Sequence, residues 1–396
     1  MRRTSEGRHL SKGEKEPERR LRPRGALLGT AFVVLVATGG LVSANSGPVR
    51  HLLSMVSPAE VTTPTVNPTT TTTIPLPNVV SVSPREGASG VPWNSSVTIE
   101  LSRPPAPGAP MPTITPSVPG QWMANGATLT FTPAASYQAW TMERISIPAG
   151  LAAPEQSSFS TEGVPLLRFE QLLAELEYLP LNFAPSGGSS GLDSEPTTPT
   201  LVSPVPEPGT FSWRYSNIPS SLSSQWTPGA NNVLTAGAVM QFESDHGLLD
   251  DGVAGPVVWS LLTQAVASRS IDLSPYDYLT VSESIPEELS VWRDGQYIYS
   301  TPVNTGVAGA ATALGTYPVY ARYQTTTMTG TDPDGYHYTV SGVPWVAYFN
   351  GGDAVHGYWR SSYGWPQSNG CVELPISNAE VVWSMDPIGT LVTVAG

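Results

Sequence analysis

The sequence predicts a multidomain, mainly β protein with a small α-helical module in the middle and one transmembrane helix near its amino end. Three observations predict it. Apolar and polar residues alternate with period two in two separate blocks, near 80–147 and 278–394. Spacings of three and four residues are confined to 166–183 and 234–262. A run of twenty uncharged residues, 25–44, directly follows a cluster of Arg. The chain has 396 residues with 40 Pro, 37 Gly and a charged fraction of 13%, which suits two or three turn-rich domains, each burying its own core.

Charge is unevenly spread. The first 24 residues hold nine of the 19 Lys and Arg, and the rest of the chain has ten Arg and no Lys against 28 acidic residues. An acidic body excludes a nucleic-acid partner, which needs a basic footprint. The basic tail, 1–24, instead sets membrane topology. Arg19-Arg20-Leu21-Arg22-Pro23-Arg24 leads into the apolar run, so the Arg side stays cytoplasmic and the remainder is exported. Residues 25–44 are read as an uncleaved single-pass anchor. Val42-Ser43-Ala44 ends the run in a small-x-small pattern, which leaves cleavage as a secretory signal open, and with it a secreted product. Residues 45–79 are a Pro/Thr-rich spacer, including Thr69 to Thr73, with too few apolar residues for a core.

From Val80 to about 162 the chain reads as a small antiparallel sandwich. Val80-Ser81-Val82, Ser96 to Leu101, Thr128 to Thr132 and Glu143 to Ile147 alternate, separated by Gly, Pro and Asn. The opening Ser83-Pro84, Gly87 and Gly90-Val91-Pro92 resemble bacterial immunoglobulin-like domains, and no catalytic grouping is present.

Residues 163–270 read as helical. Leu167, Phe169, Leu172, Leu173, Leu176 and Leu179 predict a helix over 166–183, followed by a flexible insertion near 186–210. A second helix begins at Leu234, with Thr235 as N-cap. Then come His246-Gly247-Leu248, Asp250-Asp251-Gly252-Val253-Ala254-Gly255 and a closing helix from Val257. The Asp-Gly segment lacks the regular oxygen spacing of a calcium loop and is a tight turn. This order resembles the peptidoglycan-binding domain of bacterial wall hydrolases, which implies wall attachment.

Residues 275–396 are dense in strand candidates: Tyr278 to Val281, Glu288 to Trp292, Gln296 to Tyr299, Thr316 to Tyr320, Trp345 to Phe349 and Gly389 to Val394. Arg293-Asp294-Gly295 is a hairpin turn, and one short helix is expected over Ser377 to Met385, capped by Ser377 or Asn378. Cys371 is the only cysteine, so no internal disulfide exists. A free cysteine is ordinarily a small buried hydrophobe; here it sits in Ser368-Asn369-Gly370-Cys371-Val372, fifteen residues after His356-Gly357. A thiol needs a neighbouring base and an oxyanion site to attack an amide. His356 can take and return the proton, and the backbone N–H groups of Gly370 and Cys371 can face the oxyanion.

The order Val303-Asn304-Thr305-Gly306, Gly351-Gly352-Asp353-Ala354-Val355-His356-Gly357, Ser368-Asn369-Gly370-Cys371 is similar to the L,D-transpeptidase catalytic domain, the YkuD-like β-sandwich with short helices, over essentially all of 275–396. The resemblance implies Cys371 as nucleophile and His356 as general acid/base, without metal or cofactor. It implies peptidoglycan stem peptides as partners, with a tetrapeptide donor, a diamino-acid acceptor and a 3→3 cross-link, and reaction with some β-lactams. Tyr348, Gly357, Ser368, Asn369 and Glu373 are the candidate substrate-binding residues. Two positions depart from the family pattern: Asn369 stands where a second His is usual, and Glu373 where Arg or Asn is usual. A carboxylate there raises the thiol pKa if charged and close, or receives an acceptor amine. A catalytically decayed wall-binding protein and an L,D-carboxypeptidase that uses water stay open beside the transpeptidase.

Overall fold

The computed structural model describes residues 75–188 and 202–396. The basic tail, the expected membrane segment 25–44 and all but the end of the spacer lie outside them, as does the middle of the expected insertion, 189–201. No helix of the described residues is long and apolar enough to cross a membrane.

The first domain is a two-sheet sandwich. Its strands are β1 (Val79–Ser83), β2 (Ala88–Val91), β3 (Val97–Leu101), β4 (Thr113–Thr115), β5 (Gly120–Asn125), β6 (Thr128–Pro133), β7 (Met142–Ile147) and β8 (Glu155–Thr161). One sheet runs β1-β3-β6-β5 and the other β2-β8-β7-β4. The alternation that predicts these strands is also what fills the core: Val97, Ile99, Leu129, Phe131, Ile145 and Phe159 all point inward. β1 starts at Val79, inside the expected spacer, and the Asn78 N–H already bonds Ser102 Oγ.

The middle domain consists of α1 (Leu166–Glu175), β9 (Leu181–Pro185), β10 (Gly209–Trp213), the single turn α2 (Ser220–Ser223), α3 (Val233–Asp245) and α4 (Pro256–Ser268). The helix expected over 166–183 is shorter than its apolar spacing suggests. Glu177 has a φ of 71°, which an α-helix does not accommodate, and Pro180 follows, so Leu181 and Phe183 become inward positions of a strand. The expected insertion is the loop of the β9–β10 hairpin, and its far end is fixed. Buried Arg168 donates to Ser203 O (3.1 Å) and to Glu207 (2.9 Å), and Gly209 pairs with Pro185. α3 is capped by Asn232, whose side chain accepts from Thr235 N (2.9 Å). Thr235, expected as the cap, donates its hydroxyl to buried Glu170 (2.8 Å), which also accepts from Gly229 N.

The third domain is a second sandwich. The strands are β11 (Asp277–Ser282), β12 (Glu288–Arg293), β13 (Gln296–Pro302), β14 (Gly315–Pro318), β15 (Ala321–Thr331), β16 (His337–Asn350), β17 (Asp353–Gly357), β18 (Val372–Leu374) and β19 (Leu391–Ala395). One helix, α5 (Ile376–Trp383), starts after Pro375, so neither Ser377 nor Asn378 caps it. The sheets are β13-β12-β11-β19-β14 and β15-β16-β17-β18. Between them lie Leu279, Val281, Leu289, Val291, Phe349, Val355, Val372 and Val392. Asp294 and Gly295, both at positive φ, make the β12–β13 turn. The opposite face of the five-stranded sheet is not exposed: Tyr278, Trp292 and Leu391 belong to the same core as the helices.

Candidate active site

His356 and Cys371 are brought together by two short parallel strands. β17 pairs with β18 in the register Val355↔Val372, His356↔Glu373 and Gly357↔Leu374, and Cys371 immediately precedes β18. Both side chains line a cavity of about 210 Å³. One wall is the β15–β16 hairpin, through Met328, Asp332, Tyr338 and Val340; the other holds Tyr358, Arg360 and Asn369. Sequence reading missed β15 and the first half of β16. The available signal was Asp332-Pro333-Asp334-Gly335, a turn between Thr-rich flanks, where Asp332 Oδ1 accepts from Asp334 N (3.1 Å) and Tyr336 N (2.9 Å).

The Cys371 loop is held from behind by polar groups. Buried Asn304 exchanges two backbone bonds with Glu373 (3.0 and 2.9 Å) and accepts from Gly364 N (3.1 Å). Buried Glu287 accepts from Thr305 N and Thr305 Oγ1, both at 2.7 Å. Val307 N donates to Ser368 O at 2.9 Å. Each of these groups is satisfied inside the protein, as burial demands.

His356 is 3% exposed. Its Nδ1 lies 3.0 Å from Gly357 O. A carbonyl only accepts, so Nδ1 carries the proton and Nε2 holds the lone pair. Burial pushes the imidazole pKa below its ordinary value, which keeps it uncharged at neutral pH. The Cys371 S–H donates to Gly352 O at 3.7 Å. Burial pushes the thiol up to about 12; the Ala354 N–H pulls it back, and the charges of Asp353 and Glu373 push it further. The resting pair is therefore a neutral thiol and a neutral imidazole, and deprotonation belongs to the attack itself.

Glu373 does not stand free beside the thiol. Arg360 donates Nε to Oε2 (2.7 Å) and Nη2 to Oε1 (2.8 Å), and Nη2 also reaches Gln367 O (2.9 Å). The guanidinium lies 4.8 Å from the Tyr358 ring centroid. The cation paired with Glu373 thus comes from thirteen residues upstream in the chain. Sequence reading missed Arg360; the hint was a carboxylate two residues after the cysteine with an Arg inside the same motif block.

The other expected site residues divide. Asn369 and Glu373 line the cavity, whereas Gly357 and Ser368 do not. Gly357 is packed against Pro344 and α5 and acts through its carbonyl on His356. Ser368 is 1% exposed, donates to Cys371 O (2.5 Å) and accepts from Gly370 N (3.2 Å). That bond also corrects the expected oxyanion site: the Gly370 N–H is spent on Ser368 Oγ. Gly370 matters for another reason, since its φ is 110° and a Cβ there would sit 2.7 Å from Asp353 Oδ1. Tyr348 packs in the cluster that includes Cys371, against Tyr320 and Tyr323, and is not part of the cavity wall.

Residues 277–394 match the family model of the L,D-transpeptidase catalytic domain, and residues 72–162 match that of a bacterial immunoglobulin-like domain. No curated protein matches the chain. Among solved structures, the chain is similar to an L,D-transpeptidase from Mycobacterium smegmatis, at 15% identity and a TM-score of 0.28, covering 81% of this chain and 99% of that one. It is similar to L,D-transpeptidase 3 from Mycobacterium tuberculosis in complex with a faropenem-derived adduct, at 15% identity and a TM-score of 0.28, covering 81% and 98%. The catalytic domain of the Enterococcus faecium L,D-transpeptidase matches at 24% identity and a TM-score of 0.28, covering 31% of this chain and all 100% of that one.

Proposed function

We propose, from the premise that residues 277–394 are an L,D-transpeptidase catalytic domain, that this protein cross-links peptidoglycan stem peptides through a thioester on Cys371. The observation that carries the proposal is the shared cavity: Cys371 and His356 line it together, with His356 Nδ1 committed to Gly357 O so that Nε2 is the basic nitrogen. As Sγ attacks the carbonyl carbon after the third stem residue, its proton passes to Nε2. The oxyanion is received by the Cys371 N–H. Collapse breaks the C–N bond, the departing D-Ala amine takes the proton from His356, and the thioester remains. The side-chain amine of a diamino acid on a second stem then attacks, gives its proton to His356 and displaces the thiol, leaving a 3→3 cross-link.

The proposal includes a single-pass anchor at 25–44 with the carboxy-terminal domains facing the wall, and wall binding by the helical domain 163–270. Support for both comes from the sequence: the Arg-to-apolar step, and the helix, Asp-Gly turn, helix order. Recovery of the protein in the soluble fraction after cell breakage argues against the anchor.

Intact-mass measurement with a β-lactam tests the chemistry. One adduct per chain is expected, absent in Cys371→Ala and formed at least about a hundredfold more slowly in His356→Ala, the usual scale of a general base. Incubation with stem tetrapeptides should give cross-linked dimers; free tripeptide alone would point to water as the acceptor. A decayed, wall-binding protein is the second reading, favoured by a thiol with a pKa of about 12 directed at Gly352 O. Stoichiometric acylation ends it, and complete inertness of Cys371 establishes it.

A further inference from the structure

A second recess in the described part of the chain lies apart from Cys371. It is a groove of about 620 Å³ between the first sandwich and the helical domain, within the size range of binding sites for small organic molecules, which favour domain boundaries. The lining is chemically uniform. Trp140 comes from the sandwich and Trp259 from α4, and the polar residues are neutral amides and hydroxyls, with Gln138, Ser136, Ser260 and Gln264 exposed. Among the described residues, no Asp, Glu, Lys, Arg or His lines it.

The two indoles are held in place. Phe169, fully buried, lies between them, 6.2 Å from Trp140 and 5.5 Å from Trp259. Trp140 adopts a φ of 52°, a conformation that costs an L-residue energy and persists only where surroundings enforce it. Its backbone N–H donates to Glu162 O at 3.1 Å, and the Gly163 backbone lies so close that a Cβ there would come within 2.5 Å of the indole nitrogen. Even so, Trp140 keeps 36% of its surface exposed. The third edge, Val202 to Pro204, is pinned by the Arg168 bond to Ser203 O. This is a built groove.

We infer that the groove between the first sandwich and the helical domain binds an uncharged oligosaccharide, stacked on Trp140 and Trp259 and hydrogen-bonded by the amides and hydroxyls around them. Sugar rings offer apolar C–H faces to an indole and a rim of hydroxyls to Gln and Ser, the amphipathic match that a Trp-and-amide surface is made for. The described lining offers no ionisable partner to anionic or cationic peptides, whose charges would be desolvated there. The inference rests on the proposed wall function only for the natural source of the sugar, a glycan strand. Binding there would hold the polymer at a second point, away from the stem peptide on Cys371.

Titration of the full-length chain with peptide-free N-acetylglucosamine tetramer, followed by calorimetry and Trp fluorescence, tests it. Saturable binding is expected, weakened about tenfold or more in Trp140→Ala, the loss of one stacked ring being on the order of 1.4 kcal/mol. Ser260→Trp, an exposed position that would fill the groove, should abolish it without changing the melting temperature, and covers the case in which Trp140→Ala fails to fold. Rates of Cys371 acylation should be unchanged in Ser260→Trp. No saturable binding by the parent chain, or equal binding by Ser260→Trp, overturns the inference. Loss of β-lactam acylation in the parent would refute the transpeptidase reading and leave this result standing.

Discussion

Replacing Arg360 by Ala leaves the Glu373 carboxylate 5% exposed with its cation gone. Breaking a buried pair by removing one partner costs about 3–5 kcal/mol; because the Arg360 side chain is 30% exposed, the lower end, about 3 kcal/mol, is expected here. For a domain of this size that corresponds to a fall in melting temperature of roughly 10 °C. The chemical effect is more diagnostic than the thermal one. Glu373 sits in register with His356 on the adjacent strand, and its charge raises the pKa of His356 while that of Arg360 lowers it. Burial is the main cause of the lowered His356 pKa; without the added push from Arg360 the imidazole is protonated at a higher pH, so the free base is lost earlier as pH falls. Acylation of Cys371 by a β-lactam, followed by intact mass across pH, should show an acid limb moved to higher pH. Arg360→Gln combined with Glu373→Gln removes both charges and should return the acid limb to its original position. An unchanged acid limb in Arg360→Ala, or a double variant as perturbed as the single one, refutes the reasoning.

In the parent protein, burial holds the His356 pKa below 6.5, so the base is available above that lowered value and lost as pH falls through it; the acid limb of acylation should lie below pH 6.5. Gly370→Ala meets both a positive φ and Asp353 Oδ1, so acylation should fall by at least about tenfold while the first sandwich melts unchanged. In that sandwich, Glu143 is 1% exposed, both its oxygens lack partners, and burial raises its pKa from 4.5 to about 7. The folded state therefore binds the extra proton, and stability is lost as pH rises from about 4.5 through 7, by about 3 kcal/mol in all. Glu143→Gln should remove most of this slope in melting temperature between pH 5 and 8; an equally steep slope would show that another group sets it.

Strands with one wet face and one dry face were legible in the sequence. Val97, Ile99 and Leu101 alternate because the first sandwich buries one side of each sheet. The β15–β16 hairpin was not, because much of it projects beyond the core with both faces partly wet, and Thr325 to Thr331 carries no apolar rhythm for periodicity to detect. The overlong helix at 166–183 failed for the opposite reason: Leu176, Leu179, Leu181 and Phe183 are all core residues, and apolar spacing alone does not separate a helix from a turn followed by a strand. At the site, Cys371 and His356 were visible as motif residues, since short parallel strands join segments whose order the chain preserves. Arg360 and Ser368 act through bonds across a loop, which spacing does not encode. The charge of Glu373 was legible, but its neutralisation was not.

How the site keeps its geometry is a matter of packing on its far side. His356 and Cys371 hang from β17 and β18, a short pair whose other support is the core it shares with β11, β12 and β19. That five-stranded sheet has apolar residues on both faces, and Tyr278, Trp292 and Leu391 are buried only because the helical domain covers them. Polar groups fix the docking: Trp292 Nε1 donates to Asn217 O (3.1 Å), and Tyr278 Oη donates to Ser221 Oγ (2.8 Å). A sheet bonded in this way on its outer face cannot slide without unpairing buried groups, at about 1–3 kcal/mol each. The helical domain is thus part of the scaffold of the Cys371 site, whatever it binds.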